Sequence, residues 1–152
     1  LREKQKVRKY YGVLESQFAK YFEMAEKKAG VTGLNLLAIV ESRLDNVVYR
    51  LGFAMSRPEA RQLVRHGHFT VNGKKVDIPS YRIKVGDVIA LSDKSKKSAK
   101  FAQVEEATNG RLIPLWLDMN KEAKSAKITR MPQRDELDYE IEEHLIVELY
   151  SK

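Results

Sequence analysis

The first forty residues carry apolar side chains at the three- and four-residue spacing of amphipathic helices. Residues 3–11 predict a short basic helix that ends at Gly12, and a second helix follows and ends at Gly30. The apolar stripe of the second helix consists of Leu14, Phe18, Tyr21, Phe22, Ala25 and Ala29. Residues 34–40 continue the helical pattern, so this part of the chain is predicted to consist of helices alone.

A break between helices is predicted near Ser42. Ser42 is followed three residues later by Asp45, a spacing typical of a helix cap, and a new apolar stripe then runs up to Gly52. That stripe consists of Leu44, Val47, Val48 and Leu51. We therefore predict a domain boundary near Ser42, while one uninterrupted helix over residues 34–51 is the alternative.

Residues 57–65 predict a helix with one basic side. Ser56 and Glu59 stand at the spacing of a capping box, which favours a helix start at this point. Four-residue spacing places three guanidinium groups along one side of the helix, those of Arg57, Arg61 and Arg65. The opposite side carries Ala60, Leu63 and Val64. We expect the apolar residues to be buried and the arginines to point outward.

A tight hairpin and further strands follow the basic helix. The pair Asn72-Gly73 favours a two-residue turn because both positions of such a turn need positive φ angles. Strand-like composition recurs at residues 88–91, 115–117, 126–131 and 145–150. Residues 94–100 are rich in lysine, and they either begin a helix that ends near Gly110 or form a flexible linker.

Together these elements predict an α+β fold with two subdomains. The helix near residues 95–110 carries Phe101 and Val104, which need an apolar partner, and the stripe on the second helix offers one. We therefore predict a small helical subdomain formed by residues 1–41 with 95–112. A mixed subdomain would comprise residues 42–94 with 113–152 and hold a helix-helix-hairpin module and a mainly antiparallel sheet.

The composition excludes several classes of protein. The 152 residues include no cysteine, which excludes disulfide bonds and thiolate chemistry, and no apolar segment is long enough to cross a bilayer. Lys and Arg outnumber Asp and Glu by 28 to 21, which gives a net charge of +7. Charge alone fits either nucleic acid or an anionic membrane surface. We expect a soluble, cytoplasmic protein that binds nucleic acid and no membrane.

The positive charge is concentrated in one segment. Residues 57–84 hold seven Lys or Arg against two acids, and such a cluster repels itself unless phosphates neutralise it. Besides the three arginines, the cations of this segment are Lys74, Lys75, Arg82 and Lys84. The first predicted helix adds Lys6, Arg8 and Lys9. The alternative is a solvated face that serves only solubility.

One region of the chain is acidic. Residues 114–152 carry six bases and nine acids. Four of the acids lie close together, namely Asp135, Glu136, Asp138 and Glu140. Because carboxylates repel phosphate, we expect this run to contact a basic protein instead of nucleic acid.

The sequence carries no recognisable catalytic motif. It has no Gly-rich phosphate loop, no nucleophile elbow and no zinc-binding helix of the His-Glu-x-x-His type. His66 and His68 could form half of a metal site, but no carboxylate or thiol cluster lies nearby in sequence. Arg43-Leu44-Asp45 is similar to the active-site motif of some pseudouridine synthases, although Asp45 also suits the cap position. We expect no enzymatic activity, no cofactor and no metal.

The run of residues 43–91 resembles the RNA-binding module named after protein S-four of the small ribosomal subunit. The resemblance extends beyond the module, because YGVLE at residues 11–15, NLL at 35–37 and EHLIVELYSK at 143–152 are similar to the bacterial ribosomal family itself. Members of that family carry an additional N-terminal segment, which in some of them holds a cysteine zinc site. We therefore expect this chain to be an N-terminally truncated form.

The resemblance implies a primary binder of small-subunit ribosomal RNA. Such a protein nucleates assembly of the subunit, contacts the neighbouring protein S-five, influences decoding accuracy and in some bacteria represses its own messenger RNA. It recognises a folded RNA junction by shape and phosphate pairing. Matched position by position, the RNA-facing residues would be Arg43, Arg50, Arg57, Arg61, Arg65, His66, His68, Asn72, Lys74 and Lys75.

Two other functions use the same module. An RNA-modifying enzyme or a synthetase fragment could carry the module as an appended RNA-binding domain, but the sequence shows no catalytic domain. A stand-alone stress or regulatory RNA-binding protein would also contain it, but would need neither the N-terminal helices nor the acidic end. These flanking segments favour the ribosomal family.

Overall fold

The structure is a computed structural model that describes residues 2–133. Within that range the chain forms two compact units, one over residues 2–41 and one over Ser42–Met131. The predicted strand at residues 145–150 and the acidic run that begins at Asp135 lie outside the described residues. None of the helices in the described range is both long and apolar enough to cross a membrane.

The first unit consists of three helices, α1 (Arg2–Tyr11), α2 (Glu15–Lys27) and α3 (Thr32–Glu41). The stripe on α2 buries Phe18, Tyr21, Phe22 and Ala25, as the spacing predicts. These side chains share a core with Val7, Tyr11, Leu36, Leu37 and Val40. The hydroxyl of Tyr11 donates a hydrogen bond to the buried carboxylate of Glu41, which ties the end of α1 to the end of α3.

The helix break predicted near Ser42 is confirmed, and one continuous helix is excluded. Helix α3 ends at Glu41, and the next helix, α4 (Leu44–Arg50), starts after Arg43, whose ψ of 142° is extended. The expected cap is wrong, because Arg43 occupies the N-cap position and Asp45 lies in the first turn. Hydrogen bonds to the segment around Tyr81 and Ile83 keep the backbone extended at this break. The amide of Ile83 donates to the carbonyl of Ser42 at 2.9 Å, and the amide of Leu44 donates to that of Tyr81 at 2.7 Å.

The second unit combines four helices with one antiparallel sheet. Its helices are α4, α5 (Arg57–Arg65), α6 (Asp93–Lys96) and α7 (Ala99–Thr108). Its strands are β1 (Phe69–Val71), β2 (Lys74–Lys75), β3 (Val88–Leu91), β4 (Leu117–Asn120) and β5 (Ser125–Ile128). All neighbouring strands pair antiparallel in the order β2-β1-β3-β5-β4. The predicted α+β fold class is confirmed.

One face of this sheet is buried beneath the helices. Burial alternates along β1, β3 and β5, so that Phe69, Ile89 and Ile128 enter the core while Thr70 and Lys127 lie on the other face. The helices contribute Val47 and Val48 from α4 and Leu63 and Val64 from α5. Strand β4 starts at Leu117, whereas the sequence predicts a strand over residues 115–117. The difference arises because residues 114–117 form a turn, which the amide of Leu117 closes by donating to the carbonyl of Pro114.

The placement of α7 in the helical unit is wrong. Phe101 of α7 packs in the core of the second unit, with its ring 6.2 Å from that of Phe69 and 5.1 Å from that of His68. The whole of α7 lies within the Ser42–Met131 unit. The apolar pattern of α7 shows that it needs a partner, but it does not say which apolar surface supplies one.

Candidate functional site

Helix α5 begins at a well-formed cap. The hydroxyl of Ser56 accepts a hydrogen bond from the amide of Glu59 at 3.2 Å, while the carboxylate of Glu59 accepts one from the amide of Met55 at 3.2 Å. The capping-box prediction is therefore confirmed, with the return bond made one residue earlier than in the standard motif. Ala60, Leu63 and Val64 are buried as expected, and this fixes the direction in which the other side of the helix faces.

The predicted hairpin is confirmed, and Asn72 holds it to the rest of the sheet. Asn72 has a φ of 53° and Gly73 one of 82°, as a two-residue turn of this kind requires. The side-chain amide of Asn72 donates to Asp87 at 2.9 Å, and its oxygen accepts from the amide of Val88 at 2.9 Å. Asn72 thus acts mainly in the structure of the turn, since both ends of its side chain are engaged within the protein.

Three cations and a histidine are exposed around the end of α5 and the hairpin. We call this the basic hairpin surface, and it consists of Arg65, His66, Lys74 and Lys75. Gly67 has a φ of +79°, and a Cβ atom at this glycine would lie 2.2 Å from Cε of Lys75, so the lysine side chain lies across the turn after α5. Lys84 is also exposed, whereas Arg61 and Arg82 are half-buried.

The expectation that all three arginines of α5 point outward is wrong for Arg57. Arg57 is only 8% exposed, and its guanidinium group lies 4.5 Å from the centre of the Tyr49 ring. Its Nε donates to the side-chain oxygen of Asn46 at 3.0 Å. A second guanidinium group, that of Arg111, lies 4.6 Å from the same ring. Arg57 therefore joins α5 to α4 through a cation–π contact and a hydrogen bond.

Arg43 and Asp45 form a buried, bidentate ion pair. Nε and Nη2 of Arg43 lie 3.1 and 2.9 Å from the two carboxylate oxygens of Asp45, and the side chain of Asp45 is 2% exposed. The amide of Asn46 also donates to Asp45 at 2.7 Å, and Nε of Arg61 lies 3.5 Å away. A carboxylate engaged in this way is closed to substrate, which argues against the resemblance to a pseudouridine synthase motif. Arg50 is buried as well.

The predicted RNA-facing arginines therefore separate into two groups. Arg43, Arg50 and Arg57 are buried in the second unit, and Arg43 and Arg57 donate hydrogen bonds to Asp45 and Asn46. Arg65 is exposed and Arg61 half-buried. The sequence does not reveal that Tyr49 and Asn46 on α4 are the neighbours of Arg57, because those contacts join different helices.

His68 lies beneath the basic hairpin surface. Its Nδ1 is 2.8 Å from the hydroxyl of Ser95, and its ring packs edge-on against Phe101. Burial lowers the pKa of His68, and the positive charges of His66, Lys100 and Lys75 lower this pKa further. Within residues 2–133, no group of three or more His, Cys, Asp or Glu is arranged to hold a metal ion.

The remaining predicted site residues lie elsewhere. Lys6 and Lys9 are exposed on α1. Arg8 is half-buried, lies 3.1 Å from the carboxylate of Glu15 and donates to the carbonyl of Val13 at 3.3 Å, so it contributes to the fold of the first unit. The predicted protein-contact residues Asp135, Glu136, Asp138 and Glu140 lie outside the described residues.

Comparison with known families assigns the second unit to a class of RNA-binding modules. Residues 42–89, which contain α4, α5, the hairpin and the start of β3, match the family model described as the S4 domain. Residues 1–41 match a second model, described as the ribosomal protein S4/S9 N-terminal domain. The two matched segments meet at the helix break between Glu41 and Ser42.

Curated relatives cover the whole chain. The small ribosomal subunit protein uS4 of Acetivibrio thermocellus is 64% identical over 152 residues, which span 100% of this chain and 73% of that protein. Those of Ruminiclostridium cellulolyticum and Clostridioides difficile are 62% and 59% identical over the same shares of each chain. The chain belongs to the uS4 family of small ribosomal subunit proteins.

Proposed function

We propose that this protein binds small-subunit ribosomal RNA as a structural component of the ribosome, in the cytoplasm. The observation that carries the proposal is the basic hairpin surface, where three exposed cations and a histidine lie at the end of a capped helix and on the adjoining hairpin. Membership of the uS4 family, whose relatives are named as proteins of the small ribosomal subunit, supports the choice of RNA.

Binding is expected to rest on phosphate contacts made by a rigid surface. Lysine presents a point charge to a phosphate, whereas the guanidinium group of Arg65 offers a planar fork. The contact of Arg57 with Tyr49 and the ion pair of Arg61 with Asp45 hold α4 and α5 together. The surface therefore keeps its shape, and RNA helices that present phosphates at matching positions are preferred over others.

We further propose that RNA binding by this protein nucleates assembly of the small subunit and influences decoding accuracy. The acidic run with Asp135, Glu136, Asp138 and Glu140 would contact protein S-five, a basic neighbour. The same RNA-binding surface could also recognise a similar fold in the protein's own messenger RNA and repress its translation. Lys6, Arg8 and Lys9 of α1 would add RNA contacts from the first unit.

Specificity for small-subunit RNA tests the proposal. At one fixed salt concentration, the chain should bind naked small-subunit ribosomal RNA at least about tenfold more tightly than a large-subunit RNA of matched length. Filter binding with each RNA in turn, followed by competition between the two, measures this ratio. Equal affinities would reduce the interaction to attraction between a basic protein and any polyanion, and would refute a specific ribosomal role.

A further inference from the structure

The lysine-rich stretch from residue 94 to residue 100 is an ordered part of the second unit and not a flexible linker. It covers most of α6 and the start of α7. The hydroxyl of Ser92 caps α6 by accepting from the amide of Ser95 at 3.3 Å, and the amide of Ser92 donates to the carbonyl of His68 at 2.8 Å. The hydroxyl of Ser95 lies 2.8 Å from Nδ1 of His68. Phe101 then anchors the following helix in the core. Both ends of the stretch are thus fixed.

The lysines of this stretch all face outward. While Ser95 and Phe101 are buried, four lysines are exposed, and we call them the lysine segment: Lys94, Lys96, Lys97 and Lys100. Lys96 lies 3.6 Å from the carboxylate of Asp93, itself fully exposed. Within residues 2–133, the structure gives no ion pair to the other three lysines. Four like charges held on so short a fixed segment repel one another unless an anion is bound.

The lysine segment adjoins the basic hairpin surface at His68. Lys100 of the segment and Lys75 and His66 of the hairpin surface all lower the pKa of His68. The His66 and His68 rings are 6.4 Å apart. Because Ser95 contacts the same ring, the two groups of cations share one corner of the unit. The lysine segment and the basic hairpin surface therefore form one continuous positive surface next to His68.

We propose that the lysine segment is a second phosphate-binding region, which receives the RNA backbone as it continues past the basic hairpin surface. This inference rests on the proposed function and extends it to residues outside the 42–89 module match. The exposed side of the segment lacks the aromatic or aliphatic anchors that protein interfaces and membrane-binding helices use. Its ligand is therefore the charged backbone of RNA, read without regard to base sequence.

A pair of matched double variants tests the inference. Lys97→Gln with Lys100→Gln removes two charges from the segment, while Lys121→Gln with Lys127→Gln removes two from exposed positions elsewhere in the unit. All four lysine side chains are exposed, so both variants should fold. We expect the first to bind small-subunit ribosomal RNA about tenfold more weakly than the parent, with a log–log salt slope shallower by roughly 1.5, and the second to bind within about twofold.

The outcomes separate this inference from the proposed function. If both double variants bind as the parent does, while loss of the basic hairpin surface abolishes binding, the lysine segment does not contact RNA and the proposed function stands. If the two double variants weaken binding equally, total charge explains the effect and the inference fails. If the parent itself does not prefer small-subunit RNA, the proposed function and the inference fail together.

Directed cleavage of the RNA gives an independent test, because the chain has no cysteine of its own. A single cysteine at Ala99, Asp77 or Asp118, all exposed, would carry an iron chelate that cuts nearby RNA. Ala99 lies beside the lysine segment, Asp77 follows the hairpin and Asp118 lies on the edge strand farthest from it. We expect strong cuts from Ala99→Cys and Asp77→Cys at neighbouring RNA positions. Cutting from Ala99→Cys no stronger than from Asp118→Cys would overturn the inference.

Discussion

Replacing Arg65, Lys74 and Lys75 together by alanine is expected to weaken binding to small-subunit ribosomal RNA by about 3 to 6 kcal/mol, if each charge-assisted contact contributes about 1 to 2 kcal/mol. All three side chains are exposed, and the structure gives none of them an ion pair within residues 2–133. The loss should therefore come from missing phosphate contacts alone. Circular dichroism should match that of the parent, and filter binding at fixed salt measures the affinity.

A control variant with the same loss of charge makes this result specific. Lys20, Lys121 and Lys127 are exposed and none of them belongs to the predicted site, so their joint replacement by alanine also removes three positive charges. We expect this control to lose less than about 1 kcal/mol of binding free energy, since only the long-range field changes. Equal losses in the two triple variants would mean that the RNA-binding surface has been misplaced.

Removal of the Asp45 carboxylate should destabilise the second unit by about 3 to 5 kcal/mol, because Asp45→Ala leaves the guanidinium group of Arg43 buried without its carboxylate. Arg43 is 4% exposed and cannot reach water without moving the backbone beside Tyr81 and Ile83, to which its neighbours are hydrogen-bonded. Trp116, the one tryptophan of the chain, is buried in the same core. Its fluorescence in a urea titration therefore reports the unfolding of this unit.

An exposed aspartate provides the comparison for this variant. Asp77→Ala removes a carboxylate from the surface, and the change in the free energy of unfolding should stay within about 0.5 kcal/mol. If Asp45→Ala unfolds at the same urea concentration as the parent, the ion pair with Arg43 does not contribute to the stability of the second unit.

The sequence predicts best what local chemistry determines. The cap at Ser56 and the turn at Asn72-Gly73 each depend on a few adjacent residues, and both are confirmed. The stripe of α2 is likewise a local pattern, and it is buried as its spacing indicates. In these places a residue and its neighbours in sequence are also its neighbours in space, so the sequence carries the information that is needed.

The burial of Arg57 could have been predicted from helix geometry. A helix advances about 100° per residue, so each four-residue step moves an arginine about 40° further around the axis. Arg57 precedes Val64 by seven residues and lies within about 20° of it, on the buried side, whereas Arg65 has turned well away. The observed exposure follows this drift, with Arg57 buried, Arg61 intermediate and Arg65 exposed.

Contacts between distant parts of the chain could not be predicted in this way. Phe101 packs against Phe69, which is thirty-two residues earlier in the sequence, and Arg57 contacts Tyr49 on another helix. Periodicity shows that α7 has an apolar face, but several apolar surfaces in the chain could have covered it. The partner is chosen by the packing of the whole unit, in which α6 and α7 share the ring of His68 as a neighbour.

The salt dependence of RNA binding tests the central claim most directly. Binding of the parent to small-subunit ribosomal RNA, measured from low to moderate salt, should weaken steeply, with a log–log slope that corresponds to several phosphate contacts. The variant that lacks Arg65, Lys74 and Lys75 should show a slope shallower by roughly 2 to 3, since each lost contact removes about 0.7 to 0.9. A salt-independent affinity, or parallel slopes for the two proteins, would contradict the assignment of this surface to phosphate binding.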